Sequence, residues 1–493
     1  MSNQLLTFLL LLLLVACQSP TPQNDPPQFI PSSEVPIPVK AGQQYQFGYL
    51  QVPENRSVKD SRSIQLPVYI FKSRSPQPQQ DPIIYLVGGP GSSVMRAVPY
   101  MNYYRYLDDR DFILFEQRGT AYAQPHLACP EWAQATHQSL LTNRSMVAID
   151  SLYYAAAKDC RDRLRSEGID LNGYTTREIA ADVADLAQAL QLSSYNILST
   201  SYGTKIAQVL MRDHPQGLRS VVMDSPLPLE VSWEEESPRN LLAAYEQLFK
   251  DCEEVEPCRG AFPKLKERFF DFLATQTPLD LELNPPQIAQ SINFRLRGQD
   301  LLDLFYPGTS GAIHKAPMRI DQLVKGDYTY LRQLLENRAS RLGDGQGKGM
   351  RMSVWCAEEA PFVDYKQTVN RDLPALGDWS MVEFDSTVCS IWGVRAEPPR
   401  ENQAVRSAIP TLLISGEYDP VTPPIWARQM QERLSNSHQL IFTGWQHTPT
   451  TYWDNPCGME AAHQFFNQPQ QLPALDCLDQ IGTVSFQLAE EER

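Results

Sequence analysis

Short, wholly apolar runs alternate with helically spaced segments in two separate stretches of this chain, and the residues between those stretches lack the alternation. In the first stretch, Pro82-Ile-Ile-Tyr-Leu-Val87 and Phe112-Ile-Leu-Phe115 are closed by Gly88-Gly-Pro-Gly91 and Glu116-Gln-Arg-Gly-Thr120. Runs that are apolar on both faces fit central strands of a sheet covered on both sides. Thr176 to Leu190 carries Ile179, Val183, Leu186 and Leu190 on one helical face, with Thr175 or Thr176 as its N-cap. Tyr195 to Leu198 then reads as a strand, Ser199-Thr-Ser-Tyr-Gly203 as a turn, Lys205 to Arg212 as a helix and Leu218 to Met223 as a strand. The second stretch has strands at Thr411 to Ser415 and Gln439 to Phe442. Near the start, Tyr45 to Val52 and Ser63 to Phe71 read as an antiparallel pair.

This alternation predicts an α/β fold, a mostly parallel sheet with helices on both faces. Residues 226–406 hold amphipathic helices such as Asn240 to Phe249 and Leu265 to Leu273, separated by Pro-rich joints. They are expected to form a large helical cap inserted before the last strands. The core is thereby divided into 43–225 and 407–493. With 493 residues, 42% of them hydrophobic, the chain can bury a core of this size. A net charge of -15 without a Lys/Arg run excludes a nucleic-acid partner, which needs clustered cations.

Leu5 to Ala16 is almost wholly apolar and too short to span a bilayer comfortably, as in the h-region of a signal peptide. It ends in Leu14-Val15-Ala16-Cys17, which resembles a bacterial lipobox, although no Lys or Arg precedes it. Residues 1–17 are read as a lipoprotein signal segment with Cys17 as the lipidation site. Residues 18–42, rich in Pro, Gln and Ser up to Pro38, are read as a tether. By resemblance to Gram-negative lipoproteins, Gln18 rather than Asp after Cys17 implies the cell envelope, on the outer membrane or its periplasmic side. The other eight cysteines form an even set, which suits disulfides in an exported chain. The simplest pairing joins neighbours, Cys129–Cys160, Cys252–Cys258, Cys356–Cys389 and Cys457–Cys477, and other connectivities stay open. No C-x-x-C or His-rich cluster calls for a metal, and no cofactor is expected.

Ser201 sits between a strand and a helix, where a tight turn lifts Oγ clear of the backbone at a helix N-terminus. The sequence around it is S-T-S-Y-G, with Ser199 in place of the first Gly of G-x-S-x-G. His447 follows a strand by the short loop Thr443-Gly-Trp-Gln446, and Asp419 follows one in Gly416-Glu-Tyr-Asp419. The order Ser, acid, His places all three at strand ends, as nucleophile, tautomer-holding acid and base. His438 begins its strand at the opposite edge, and His463 falls on the following helix. The backbone N–H groups of Tyr202 and Gly89 are the expected oxyanion donors.

Together these segments resemble the prolyl aminopeptidase and tripeptidyl aminopeptidase group of α/β-hydrolases, from about Phe47 to Cys477. The landmarks are FGYLQVPEN at 47–55, GGPG at 88–91, EQRGT at 116–120, STSYGT at 199–204, SVWCAEE at 353–359 and GEYDPVTPP at 416–424. The group's HGGPG, DQRG and GxSYGT are altered here at Val87, Glu116 and Ser199. The resemblance implies release of residues from free peptide N-termini through an acyl-enzyme. It also implies an acidic residue after Cys356 for the substrate ammonium. Glu358 and Glu359 are the candidates, with Trp355 as a cleft wall. Two other readings remain: an esterase or amidase acting on small acyl esters, and a non-catalytic surface-binding protein. Epoxide hydrolysis is disfavoured because it needs Asp at the Ser201 position.

Overall fold

The computed structural model describes residues 27–141, 146–284, 291–306, 313–340, 343, 345–479 and 484–489. Cys17 and the apolar leader lie outside the described residues. The strands are β1 (Gln28–Pro31), β2 (Tyr45–Pro53), β3 (Ser63–Phe71), β4 (Gln79–Leu86), β5 (Arg110–Phe115), β6 (Tyr195–Thr200) and β7 (Leu218–Asp224). They continue with β8 (Leu279–Leu283), β9 (Ile292–Leu296), β10 (Thr411–Gly416) and β11 (Ser437–Phe442). Nine of them form one sheet in the order β1-β2-β3-β5-β4-β6-β7-β10-β11. From β5 to β11 the neighbours are parallel, and β1 to β3 add an antiparallel edge.

The fully apolar runs became the central strands, since both faces of the sheet are buried. One face packs Ile84, Ile113, Ile197 and Val221 on Ile179, Val183 and Ile206. The other packs Ile83, Phe112, Leu198 and Leu412 on Val94, Ala461 and Phe465. The helix Thr176–Ala189 starts where Thr175 accepts from the Glu178 N–H, a side-chain cap worth about 1 kcal/mol. The segment read as a tether over 18–42 belongs to the fold from Gln28 onward. β1 pairs with β2, Val35, Ile37 and Val39 pack on the core, and Tyr69 donates to the Ile37 carbonyl at 2.7 Å.

The chain between β7 and β10 is largely helical, including Trp233–Glu254, Leu265–Thr275 and Lys348–Glu358. It also holds the antiparallel pair β8–β9, which the helical reading missed. This segment has its own apolar cluster, with Tyr245, Phe269, Leu302, Ile320 and Leu331 buried together. Disulfides join Cys129–Cys160, Cys252–Cys258, Cys356–Cys389 and Cys457–Cys477. Each contributes about 2–4 kcal/mol by restricting the unfolded chain. Cys356–Cys389 ties the helix Lys348–Glu358 to the helix Ser386–Trp392.

Candidate active site

The site lies at the C-terminal ends of the parallel strands, where loops can diverge from the sheet. Ser201 follows β6 with φ of 53°, a left-handed conformation that costs a non-glycine residue roughly 1–2 kcal/mol. Two contacts hold it there: its N–H donates to the Asp224 carbonyl at 2.9 Å, and its carbonyl accepts from Thr204 at 2.9 Å. Close packing explains the small residues around it. A Cβ on Gly203 would stand 2.2 Å from the Leu86 carbonyl oxygen, and one on Gly88 would stand 2.7 Å from the Ser201 Cβ. Ser199 is accommodated because its hydroxyl donates to the Val222 carbonyl at 2.8 Å inside the sheet.

Asp419 and His447 meet across the loops after β10 and β11. The imidazole Nδ1 lies 2.7 Å from the Asp419 Oδ2, which leaves Nε2 as the ring nitrogen able to act on a nucleophile. Asp419 is buried, and its carboxylate accepts from the N–H groups of Val421 at 2.8 Å and Thr422 at 3.0 Å. The Thr422 hydroxyl also donates to it at 2.8 Å. Burial alone would lower the His447 pKa, but the Asp419 carboxylate outweighs it and holds the ring above its ordinary value. This arrangement stabilises an imidazolium formed during proton transfer.

Tyr202 precedes the helix Gly203–Asp213. Its ring is buried, and its hydroxyl lies 2.8 Å from the Thr176 hydroxyl. Gly89, with φ of 124°, presents its carbonyl to Arg351, whose Nη1 donates at 2.9 Å. Glu116 braces the following loop, accepting from the Ser93 hydroxyl at 2.9 Å and the Val94 N–H at 3.1 Å.

Glu358 and Glu359, the candidates for the substrate ammonium, are both engaged by other residues of the protein. Glu358 accepts from the N–H and the hydroxyl of Thr176, each at 2.5 Å, and burial pushes its pKa up to about 8. Glu359 pairs with the buried Lys205 on the helix behind Ser201. The two residues therefore fasten the end of the helix Lys348–Glu358 to the helices Thr176–Ala189 and Gly203–Asp213. Trp355 does face a polar group: its indole donates to Glu234 at 2.5 Å.

Glu234 escaped the sequence reading, where Trp233-Glu-Glu-Glu236 passes for the solvated start of a helix. It is 1% exposed, forms no ion pair among the described residues, and has its pKa raised to about 8 by burial. Besides the indole, it accepts from the Glu383 N–H at 3.1 Å and 3.0 Å. Glu383 is paired with Arg351 at 3.0 Å and Lys348 at 3.3 Å. The neighbouring Trp233 donates to the Val421 carbonyl at 3.2 Å, two residues beyond Asp419. A buried carboxyl group without a cation therefore lies between the Asp419 loop and the Arg351 that holds Gly89. Outside it, a cavity of about 860 Å³ is lined by Trp132, Tyr154, Trp233, Lys348, Trp379 and Glu383 among others.

Comparison with known proteins points to the same fold. The family described as alpha/beta hydrolase fold matches residues 81–250, which contain Ser201. The family described as TAP-like protein matches residues 376–477, which contain Asp419 and His447. The chain is similar to the serine protease Hip1 of Mycobacterium tuberculosis, 24% identical over 401 residues, covering 73% of this chain and 74% of that one. It is also similar to the tripeptidyl aminopeptidase of Streptomyces lividans, 22% identical over 438 residues, covering 84% and 79%. A putative hydrolase of Escherichia coli, YuaR, is 20% identical over 460 residues, covering 87% of each chain.

Proposed function

We propose that this chain, an α/β-hydrolase with a TAP-like C-terminal segment, is a serine aminopeptidase that releases residues from the free N-termini of peptides in the cell envelope. The observation that carries the reading is Glu234. Burying a carboxyl group without a cation is costly, and a substrate ammonium would supply the missing charge through a charge-assisted hydrogen bond. The Glu383 carboxylate next to it is already neutralised by Arg351 and Lys348.

In the proposed reaction Ser201 Oγ attacks the scissile carbonyl while His447 Nε2 takes its proton. Asp419 keeps the proton of Nδ1 in place, so Nε2 is the basic nitrogen. The oxyanion is met by the N–H groups of Gly89 and Tyr202, and Arg351 holds the next peptide through the Gly89 carbonyl. His447 then gives its proton to the departing amine, and water attacks the acyl-enzyme under the same base. The apolar leader that ends in the Cys17 motif supports a lipid-anchored form. Parallel assays of peptide amides with free and acetylated N-termini test the proposal. Hydrolysis confined to free amines supports it, and hydrolysis of acyl esters alone selects the esterase reading.

A further inference from the structure

Asp224, the last residue of β7, and Ser225, which follows it, contact both halves of the candidate site, yet neither has a part in the acyl-transfer steps. Asp224 accepts the Ser201 N–H with its main-chain oxygen at 2.9 Å. With its side chain it reaches the turn after His447: Oδ2 accepts the Thr450 N–H at 2.8 Å and the Thr450 hydroxyl at 2.5 Å. Ser225 continues the link, since its Oγ accepts the N–H of Thr448, the residue next to the base, at 2.8 Å. The Ser225 N–H donates to the Ile414 carbonyl of β10 at 2.7 Å, the strand that leads to Asp419. Ser225 takes a φ of 57° and Thr448 a φ of 61° to make these contacts. Left-handed backbone at two non-glycine residues costs roughly 1–2 kcal/mol each, so the surrounding structure must enforce it.

We propose that Asp224 and Ser225 are positioning residues that fix the loop bearing His447 relative to the turn bearing Ser201, so that the end of β7 sets the nucleophile–base geometry. The inference rests on the triad reading above. The main chain of Asp224 fixes the nucleophile turn and its carboxyl group fixes the base loop, so one residue spans both. Asp224 also acts on His447 through charge. It is fully buried, and burial raises its pKa to about 7. His447 and Asp419, on the neighbouring loops, act on it electrostatically, and Asp224 in turn acts on the Tyr85 and Tyr106 hydroxyls. Once ionised, it raises the His447 pKa in addition to the effect of Asp419.

The test uses the full chain and a p-nitrophenyl ester, together with the rate at which a fluorophosphonate labels Ser201. Ser225→Gly keeps the left-handed backbone and removes only the acceptor for Thr448. Asp224→Asn keeps an acceptor for Thr450 and removes the charge. Ser225→Gly is expected to melt at the wild-type temperature or higher and to lose kcat and labelling rate by about 10- to 100-fold, the scale of a misplaced reacting group. KM should be unchanged. Asp224→Asn is expected to keep most of its kcat but to move the acid limb of the pH profile to lower pH, because His447 loses a neighbouring negative charge. Wild-type kcat in Ser225→Gly and an unmoved acid limb in Asp224→Asn, with Ser201→Ala inactive, would overturn the inference while leaving the triad intact. Undiminished turnover in Ser201→Ala would instead remove the triad reading on which it depends.

Discussion

Trp355 donates its indole N–H to Glu234 at 2.5 Å, joining a cap helix to a carboxyl group for which no cation is found among the described residues. The bond fixes the carboxyl group and walls it from solvent at once. Burial raises the Glu234 pKa to about 8, against the lowering effect of this bond. Binding an ammonium there converts the carboxyl group to a carboxylate and releases its proton. For free-amine substrates kcat/KM is therefore expected to rise with pH up to about 8. Above that it falls as the α-amino group, with a pKa of roughly 7.7 to 8.0, loses its charge. Glu234→Gln should raise KM for free-amine peptides at least tenfold and leave a small acyl ester within about twofold, a loss equal to one charge-assisted hydrogen bond. Equal losses on both substrates would reject amine recognition by Glu234.

The buried carboxyl groups make stability depend on pH in a definite direction. Glu234 and Glu358 are raised to about 8 and Asp224 to about 7, in each case mainly by burial. In the unfolded chain they ionise near the ordinary carboxylate value of about 4. The folded state thus holds protons that the unfolded state has released, and the stabilisation present below the unfolded pKa is lost as pH rises through the folded one. The raised His447 pKa acts in the same sense at the upper end of the window. Melting temperature is expected to fall between pH 5 and pH 8. Glu234→Gln should flatten that slope, by on the order of 2 °C across the window. A slope of opposite sign in differential scanning calorimetry would show that these groups ionise freely when folded.

Substitution of the candidate triad should separate chemistry from folding. Ser201→Ala and His447→Ala are each expected to lower kcat by roughly 10⁴- to 10⁶-fold with circular dichroism unchanged. Asp419→Asn should be severe through the wrong His447 tautomer. It should also lower the melting temperature, since two backbone N–H groups and the Thr422 hydroxyl depend on that carboxylate.

Anchoring makes a prediction independent of the chemistry. Cys17→Ser should release the protein from membranes or block its processing, measured by fractionation and by mass spectrometry of the mature N-terminus. An unacylated wild-type N-terminus would contradict the lipoprotein reading.

The fold and the three strand-end residues were legible for a physical reason. Central parallel strands are apolar on both faces, so Pro82–Val87 and Thr411–Ser415 stand out as unbroken runs, and the loops after such strands mark where chemistry can sit. β8 and β9 alternate plainly, as Leu-Asp-Leu-Glu-Leu and Ile-Asn-Phe-Arg-Leu, yet they pass unnoticed inside a segment dominated by helical spacing. The surroundings of Glu358 and Glu359 were not legible because their partners are remote. Thr176 is 182 residues away and Lys205 is 154, and no local pattern shows which carboxylates a fold will occupy. The same remoteness concealed Glu234, whose environment is made by Trp355 and Glu383.

The most direct test is hydrolysis of matched peptide p-nitroanilides, free or acetylated at the N-terminus, by wild type and Ser201→Ala. The account predicts that wild type cleaves the free-amine peptides, leaves the acetylated ones essentially untouched, and loses that cleavage with Ser201. Equal cleavage of both forms, or cleavage that survives in Ser201→Ala, would contradict it.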